Sequence, residues 1–270
     1  MADLRHDLMT GRWVAVAPAR TQRPGASEPA RDEAAACPFC AGHEDRTPPD
    51  TLRLGDGPTG WGVRVVPNLY PALERQEVVI HGPEHVHSIG ALADSTIDLV
   101  AEAWQRRARD AGGICFPLIN EGHEAGASLP HSHSQLAWLP GPAPQVLAER
   151  GLPEVVDVLE RDGVTAGCPV ASRVPYEVLI APSQTEADGL RSDLLAPALR
   201  LLAELVRRLQ RIRGKELVPL NAWLHDGPHW HLELFPRTTR LAGLELGAGV
   251  YIDSVAPEDA AAALRASPPS

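Results

Sequence analysis

The sequence has no excess of positive charge. Its 270 residues carry 25 lysine and arginine side chains against 35 aspartate and glutamate side chains, which gives a net charge of −10. Because no basic field would attract a phosphate backbone, this balance argues against nucleic acid as a partner. It still permits a small phosphorylated ligand held by individual arginines, since Lys215 is the only lysine.

Long apolar runs are missing as well. No stretch approaches the ~18 apolar residues that a membrane-spanning helix needs, so we expect no membrane partner. The first residues, MADLRHDLMTGRW, lack the charged and apolar regions of a secretory signal. Four cysteines, two of them three positions apart, are not typical of a secreted disulfide scaffold. We therefore expect a cytoplasmic protein.

An internal repeat organises what the sequence does contain. Each half has a strand, a long helix, a second strand and a Pro-His-x-His segment, with helices predicted over 94–112 and 192–214. Glu77 precedes His131 by 54 positions, and Glu177 precedes His229 by 52. We predict a duplicated α+β fold with a mainly antiparallel sheet and one long helix per half. The predicted halves are residues 1–145 and 146–270.

The segment LPHSHSQLAWLP, residues 129–140, predicts a strand with an unusual polar face. Alternate residues of a strand point to the same side, so His131, His133 and Gln135 would lie together. A solvated strand face is the simplest explanation for such a pattern. Two imidazoles and an amide on one surface favour an active site instead.

The segment CPFC places Cys37 and Cys40 at a spacing that suits one metal ion. A redox dithiol is an alternative, but the flanking segments lack the strand and helix that such a motif requires. Two unrelated thiols are a further alternative. A zinc site is favoured, and its other two ligands would come from histidines among His85, His87 and His131.

If His131 is a metal ligand, the second histidine of the pair is available as a nucleophile. A neutral imidazole at His133 attacks phosphorus well near neutral pH, and a backbone carbonyl commonly holds its remaining N–H. Gln135 could donate its amide N–H to a phosphoryl oxygen. Just upstream, the small residues Gly126 and Ala127 and the hydroxyl of Ser128 could bind phosphate oxygens.

The segment from Asn120 to Gln135 closely resembles the active-site segment of galactose-1-phosphate uridylyltransferases, the transferase branch of the histidine-triad superfamily. The resemblance extends from about residue 5 to about residue 265. CPFC resembles the zinc pair of that family, and EVVIHGPEH resembles the strand that ends in a zinc histidine. The resemblance implies two histidine-triad-like halves and one structural zinc ion held by Cys37, Cys40, His85 and His131.

The same resemblance implies substrate contacts in several segments. GRWVAVAPARTQRP resembles the segment whose arginines approach the substrate phosphates, and VRVVPNLYP resembles the strand that contacts the nucleotide near the ribose. LAGLELGAGVYID resembles the sugar-phosphate segment near the carboxyl terminus. The implied substrate-binding residues are Arg20, Arg23, Asn68, Asn120, Gly126, Ala127, Gly247, Gly249 and Tyr251.

The implied activity is a double displacement. His133 attacks a nucleoside diphosphate sugar, sugar 1-phosphate leaves, and an acceptor then takes the nucleotide from the histidine, with Gln135 and Ser128 as assisting residues. The favoured reaction is exchange between a UDP-hexose and a hexose 1-phosphate. Phosphorolysis of a nucleoside diphosphate sugar such as ADP-glucose is the alternative. A non-catalytic nucleotide-binding module and a CxxC thiol oxidoreductase are alternatives of other classes. The resemblance also implies a homodimer.

Two departures from the family concern the second half. Only Asp226, Gly227 and Pro228 separate NAWLH from HWHLELFP, where relatives usually carry a longer insertion near the acceptor site. This leaves the acceptor sugar open. A second metal site could involve His229 and His231, but we expect a polar strand face near the substrate there. The Tyr251 side chain has two possible roles, packing in the core and contact with a sugar phosphate, and the sequence does not decide between them.

Overall fold

The structure, a computed structural model, describes residues 3–22, 33–111 and 113–268. The strands of these residues are β1 (Asp3–His6), β2 (Trp13–Val16), β3 (Leu52–Leu54), β4 (Val63–Pro67), β5 (Gln76–Ile80), β6 (Ile114–Glu121), β7 (His133–Leu139), β8 (Val155–Arg161), β9 (Val164–Pro169), β10 (Val178–Pro182), β11 (Leu220–His225) and β12 (His231–Pro236). The helices are α1 (Asp94–Ala111), α2 (Pro144–Ala148), α3 (Leu195–Arg213), α4 (Gly243–Ala248) and α5 (Pro257–Ala266).

Ten of these strands form one antiparallel sheet in the order β3-β4-β5-β7-β6-β11-β12-β10-β9-β8. The order is a palindrome, because each strand of the first half has a counterpart at the mirrored position of the second half. The halves meet where β6 pairs with β11, with Asn120 opposite Asn221. The predicted fold, two duplicated halves in a mainly antiparallel sheet, is confirmed. The boundary predicted between residues 145 and 146 lies within α2 and stays a prediction.

The two long helices cover one face of the sheet and contact each other. In α3, Leu195, Leu199, Leu202 and Val206 recur at the spacing of one helix face, and all four are fully buried. α1 contributes Trp104 to the same core. A smaller apolar cluster, which includes Cys37, Phe39 and Cys40, lies with Val78 and Ile80 of β5.

Some elements differ from their predicted bounds for local reasons. The second long helix begins at Leu195 rather than 192, because the Ser192 hydroxyl accepts a hydrogen bond from the N–H of Leu194 and ends the preceding turn. β7 begins at His133, so His131 lies just before the strand. The hairpin β8–β9 and helix α5 lie in segments for which the sequence predicted no element. None of the described helices is both long and apolar enough to span a membrane.

Candidate active site

His133 begins β7 on the sheet face that points away from the helices. Its neighbour Ser134 accepts a hydrogen bond from Trp104 of α1. Strand alternation therefore turns His133 and Gln135 to the other face. His133 is buried, with 6% of its surface exposed. Phe39 lies edge-on to its ring at a centroid distance of 5.4 Å.

The backbone next to His133 determines which ring nitrogen carries its proton. Nδ1 lies 2.7 Å from the carbonyl oxygen of His131. Because a carbonyl oxygen only accepts hydrogen bonds, Nδ1 carries the proton and Nε2 carries the lone pair. A neutral imidazole in this form is a nucleophile near neutral pH. The backbone acceptor that the sequence led us to expect is present.

Gln135 is oriented by a second glutamine. Its Oε1 atom accepts a hydrogen bond of 2.6 Å from Nε2 of Gln76 on the neighbouring strand β5. Since the oxygen is used in this way, the amide nitrogen of Gln135 points to the other side of its side chain. This orientation presents a donor rather than an acceptor to a ligand beside His133.

The glycine-rich turn upstream of β7 is held by its own backbone. The N–H groups of Ala125, Gly126 and Ala127 donate to carbonyl oxygens within the turn. The Ser128 hydroxyl therefore remains the donor on which the expected phosphate contact depends. Asn221, which the sequence analysis missed, donates from Nδ2 to the carbonyl oxygen of Ala125 at 2.9 Å.

The Asn221 side chain also reaches a predicted site residue. Its Nδ2 donates to Oδ1 of Asn120 at 2.6 Å, across the β6–β11 seam. The second half of the chain thus holds the turn and the asparagine of the first half in place. The internal repeat places Asn221 in the strand of the second half that corresponds to β6. The repeat alone, however, assigns no role to this side chain.

Arg20 and Asn68 meet at the backbone of Tyr70. Nη1 of Arg20 donates to the carbonyl oxygen of Tyr70 at 2.7 Å. Oδ1 of Asn68 accepts from the N–H of the same residue at 2.9 Å. Two predicted substrate-binding residues, 48 positions apart in the sequence, therefore lie side by side. Arg23 lies outside the described residues.

The predicted sugar-phosphate residues occupy a largely exposed segment. Gly247 lies in α4, Gly249 ends that helix with a positive φ of 69°, and Tyr251 follows. Tyr251 is 42% exposed, which excludes the alternative of core packing. Leu244, Leu246, Val250 and Ile252 are exposed beside it. This apolar segment is called the 244–252 segment below.

Cys37, Cys40, His85 and His131 bring four ligand atoms together within 4.8 Å of one another. Sγ of Cys40 lies 3.2 Å from Nδ1 of His85 and 3.7 Å from Nδ1 of His131. Sγ of Cys37 lies 3.6 Å from the same nitrogen of His131. The sequence resemblance selected His85 over His87, and the geometry agrees.

These distances suit a tetrahedral zinc ion. Zinc holds sulfur at about 2.3 Å and nitrogen at about 2.0 Å, which separates the two by roughly 3.5 Å in a tetrahedron. Nε2 of His131 lies 3.1 Å from the Gly82 carbonyl oxygen, so this nitrogen carries the proton and Nδ1 faces the sulfurs. Burial lowers the pKa of His131 to about 4, which keeps the ring neutral. These residues fit a zinc ion.

The thiols give an independent argument for a cation. Burial, together with the neighbouring Cys37 sulfur, raises the pKa of the Cys40 thiol to about 12. A thiol with so high a pKa becomes a thiolate only beside a positive charge, which a metal ion would supply. In the described chain no α-helix directly follows the CPFC segment, and all four cysteines are free. This environment disfavours a redox dithiol.

A second group of ligand atoms lies in the other half. Glu149, His225, His231 and Glu233 place one ligand atom each within 4.8 Å of the others. Nε2 of His231 lies 3.4 Å from Oε1 of Glu233. Burial opposes ionisation of Glu233, but the His231 hydrogen bond and Arg173 outweigh it and lower its pKa to about 2.

His231, for which the sequence predicted a polar strand face, is buried in the structure. Its polar neighbours are Glu233 on the same strand, His225 at the end of β11 and Glu149 in the segment after α2. His229 instead lines a cavity of about 940 Å³ next to this group. Cys115 lines the same cavity and pairs with Trp138, five residues beyond His133 on β7. The cavity therefore lies at the other end of the strand from His133.

Known proteins resemble this chain over nearly its whole length. No protein-family model matches it. An ADP-glucose phosphorylase from Arabidopsis thaliana is 29% identical, with 97% of this chain and 92% of that protein covered. A galactose-1-phosphate uridylyltransferase from Thermotoga maritima is 25% identical, with 98% of each covered. A solved uridylyltransferase structure superposes with a TM-score of 0.79 at 25% identity, covering 99% of this chain and 98% of that one.

Proposed function

Because the chain belongs to the galactose-1-phosphate uridylyltransferase family of the histidine-triad superfamily, we propose that it is a nucleotidyltransferase that acts on nucleoside diphosphate sugars. The observation that carries the proposal is the hydrogen bond from Nδ1 of His133 to the His131 carbonyl oxygen. It presents Nε2 as a nucleophile on the sheet face where Gln135 also lies.

The proposed reaction has two steps. Nε2 of His133 attacks the α-phosphorus of the donor, an N–P bond forms, and the bond from that phosphorus to the bridging oxygen breaks. Sugar 1-phosphate leaves with the bridging oxygen. A phosphate oxygen of the acceptor then attacks the same phosphorus and releases the histidine. Throughout, Nδ1 keeps its proton against the His131 carbonyl oxygen.

Assisting residues stabilise the charge that develops on the phosphoryl oxygens. We assign this role to the amide N–H of Gln135, whose orientation Gln76 sets, and to the hydroxyl of Ser128. Arg20 and Asn68, joined at Tyr70, are assigned to the nucleotide. For Arg23, Asn120, Gly126, Ala127, Gly247, Gly249 and Tyr251 the substrate contacts remain part of the proposal.

The acceptor distinguishes two versions of this function. A hexose 1-phosphate acceptor gives the uridylyltransferase reaction, which we place first with a UDP-hexose donor. An inorganic phosphate acceptor gives phosphorolysis. Two observations support phosphorolysis as the second candidate. A 29% identical relative is named ADP-glucose phosphorylase. Only a short turn joins β11 to β12, where relatives usually carry an insertion near the acceptor site.

We assign one structural zinc ion to Cys37, Cys40, His85 and His131. Four protein ligands leave no open position on such an ion, so it takes no part in the chemistry. When bound, it fixes the CPFC segment, the residues after β5 and the start of β7 relative to one another.

We also propose a homodimer in the cytoplasm. The 244–252 segment exposes five large apolar side chains, which a second copy of the chain could cover. The four free cysteines suit a reducing compartment. Analytical ultracentrifugation would decide between a monomer and a dimer.

Intact mass spectrometry tests the proposed function. The purified protein is incubated separately with UDP-, ADP- and GDP-sugars and analysed without acid, because a phosphoramidate bond to histidine is acid-labile. We expect one sugar nucleotide to add a single nucleoside monophosphate to the chain, and the added mass identifies the base. Adding hexose 1-phosphate or inorganic phosphate in a second step identifies the acceptor that removes it.

A substitution of the nucleophile completes this test. His133→Ala is expected to abolish the adduct while sugar nucleotide still binds, because only the attacking nitrogen is lost. His229→Ala, a histidine of the corresponding segment in the other half, serves as the matched control and should retain the adduct. An undiminished adduct in His133→Ala would overturn the assignment.

A further inference from the structure

A chain of buried hydrogen bonds runs along the side of β7 that faces away from His133. His81 follows β5 and is fully buried. Its Nδ1 lies 3.0 Å from Oγ of Ser132, and its Nε2 lies 2.9 Å from Oγ of Ser134. One imidazole thus bridges the two residues that flank His133 in the sequence.

Both ends of this chain are anchored in the core. Nε1 of Trp104 donates to Oγ of Ser134 at 2.8 Å. At the other end, Oγ of Ser132 lies 3.5 Å from Oε1 of Glu121, the longest link. Glu121 also accepts the N–H of Ile89 at 2.5 Å. The chain therefore connects helix α1, strand β7 and the end of β6.

Donor and acceptor chemistry gives the chain a direction. Trp104 only donates, and Oε1 of Glu121, which already accepts the Ile89 N–H, serves as an acceptor for Ser132 whether the carboxyl is ionised or carries its proton on Oε2. All donors find an acceptor in one order: Trp104 to Ser134, Ser134 to His81 Nε2, His81 Nδ1 to Ser132, and Ser132 to Glu121. In the reverse order the Ser134 hydroxyl would have no acceptor within the chain, which is costly for a buried group. His81 is therefore neutral with its proton on Nδ1.

The second half of the protein provides an internal comparison. There, Nδ1 of His231 lies 2.9 Å from the carbonyl oxygen of His229, as in the pair of His133 and His131. Yet the residues that correspond to Ser132 and Ser134 are Trp230 and Leu232, which pack in the apolar core. The fold of a half does not need the hydroxyl chain, which accompanies only the half that holds the proposed nucleophile.

We propose that His81 is a positioning residue for His133, acting through Ser132 and Ser134. By hydrogen bonding to both serines on the opposite face of the strand, His81 fixes the backbone on either side of His133. This backbone sets the direction in which the His133 ring points. This role rests on the proposed nucleotidyltransferase function. The proton arrangement within the chain does not depend on that function.

The first test measures the proton positions. Nitrogen-15 spectra of protein labelled at histidine distinguish protonated from unprotonated ring nitrogens, and the signals lost in His81→Gln identify His81. We expect a neutral ring with its proton on Nδ1. A proton on Nε2, or a doubly protonated ring, would overturn the directional chain.

The second test measures single-turnover formation of the nucleotide adduct. Ser132→Ala and Ser134→Ala are each expected to slow it by about 10- to 100-fold, because a small misplacement of a reacting group costs that much. The affinity for the sugar nucleotide should stay close to that of the wild type. Ser192→Ala, a serine equally buried but in the second half, is the matched control and should react at the wild-type rate.

The outcomes separate positioning from plain structural support. If the two serine variants only lose stability, as Ser192→Ala does, and react at the wild-type rate, the positioning role is refuted. If they do not fold, Trp104→Phe replaces them, since it deletes only the donor to Ser134, and an unchanged rate there refutes the role. If the wild type forms no adduct with any sugar nucleotide, the proposed function and the positioning role are both refuted. The nitrogen-15 spectra still test the hydrogen-bond chain in that case.

Discussion

Neighbouring histidines in this chain carry their ring protons on different nitrogens, because each ring faces a different acceptor. His131 donates from Nε2 to the Gly82 carbonyl oxygen. His133 donates from Nδ1 to the His131 carbonyl oxygen. The same residue type, two positions apart, thus presents Nδ1 to sulfur in one case and Nε2 to the proposed substrate in the other.

Glu121 provides a prediction at this scale. Burial raises its pKa from 4.5 to about 7. Between these values the folded protein binds the proton more tightly than the unfolded chain, so the free energy of unfolding falls as the pH rises through this range. The shift corresponds to a loss on the order of 3 kcal/mol. We expect Glu121→Gln to remove this part of the pH dependence, measured by urea unfolding between pH 5 and 8.

The same change at Glu124, an exposed residue of the adjoining turn, is the matched control. The comparison concerns the slope of stability against pH rather than stability at one pH, because the amide alters the hydrogen bonds of Glu121 as well. A Glu121→Gln profile parallel to that of the wild type would contradict the prediction.

The sequence predicted one face of β7 well and the other poorly. Alternation placed His133 and Gln135 together, and the family resemblance selected His85 and His131 as metal ligands. Ser132 and Ser134 went unnoticed, because serine between polar residues is compatible with a solvated strand. Their partner His81 is distant in sequence, and only the pairing of β5 with β7 brings it beneath them.

At the scale of elements, helices were predicted more accurately than short strands. Periodic leucines locate α3 to within three residues at its start, and Gly214 ends it in a left-handed conformation. β3 has only three residues, too few for alternation to be recognised. The strand predicted before the second long helix is present as β10, although all of its residues are buried and no polar face shows its period.

Two glycines of the phosphate-side turn allow a paired prediction. Gly122 and Gly126 both have positive φ, 82° and 86°. A Cβ on Gly122 would lie 3.0 Å from Cβ of Pro219, whereas nothing lies within 4 Å of one on Gly126. Gly126 adopts the left-handed conformation, which costs an alanine about 1–2 kcal/mol, whereas Gly122, with φ 82° and ψ 151°, adopts a conformation that is essentially restricted to glycine. We expect Gly122→Ala to lose more than Gly126→Ala in urea unfolding.

The excess loss combines the contact with Pro219 and the greater conformational cost at Gly122, because the two glycines have different ψ angles. Gly122→Ala should also slow adduct formation, since the clash displaces the turn that carries Ser128. Equal losses of stability in the two variants would contradict this prediction.

At the scale of the whole molecule, two halves of one topology carry different groups of polar side chains. The repeat was visible in the sequence because the spacing between its landmarks is nearly preserved. The sequence named His231 as a possible ligand of a second metal, but it did not place Glu149 beside it, because Glu149 comes from the connection between the halves. Such connections carry no periodic signal from which a position in space could be predicted.

Zinc content and stability give a prediction for the intact protein. Freshly purified protein is expected to contain one zinc ion per chain. Removing it with a chelator should lower the melting temperature by roughly 6–12 °C, if the lost ligation costs about 3 kcal/mol in a domain of this size. Cys40→Ser should lose the ion, because serine is a poor zinc ligand, while Cys115→Ser should keep it.

The Cys115 variant controls for loss of a buried thiol, since that side chain is also buried but lies outside the ligand group. Elemental analysis of folded, chelator-free protein decides the matter. A protein without zinc would overturn the assigned ligand set, and a second equivalent retained in Cys40→Ser would belong to the group in the other half.

A single peptide unit at position 131 serves two neighbours at once. Its imidazole faces the sulfur atoms of Cys37 and Cys40, and its carbonyl oxygen holds the ring of His133. Covalent geometry therefore ties the proposed metal ligand to the proposed nucleophile, and a displacement of one is passed directly to the other. A substitution that changes the position of one histidine therefore also changes the position of the other. Altering the reactivity of His133 requires changes around His131 as well.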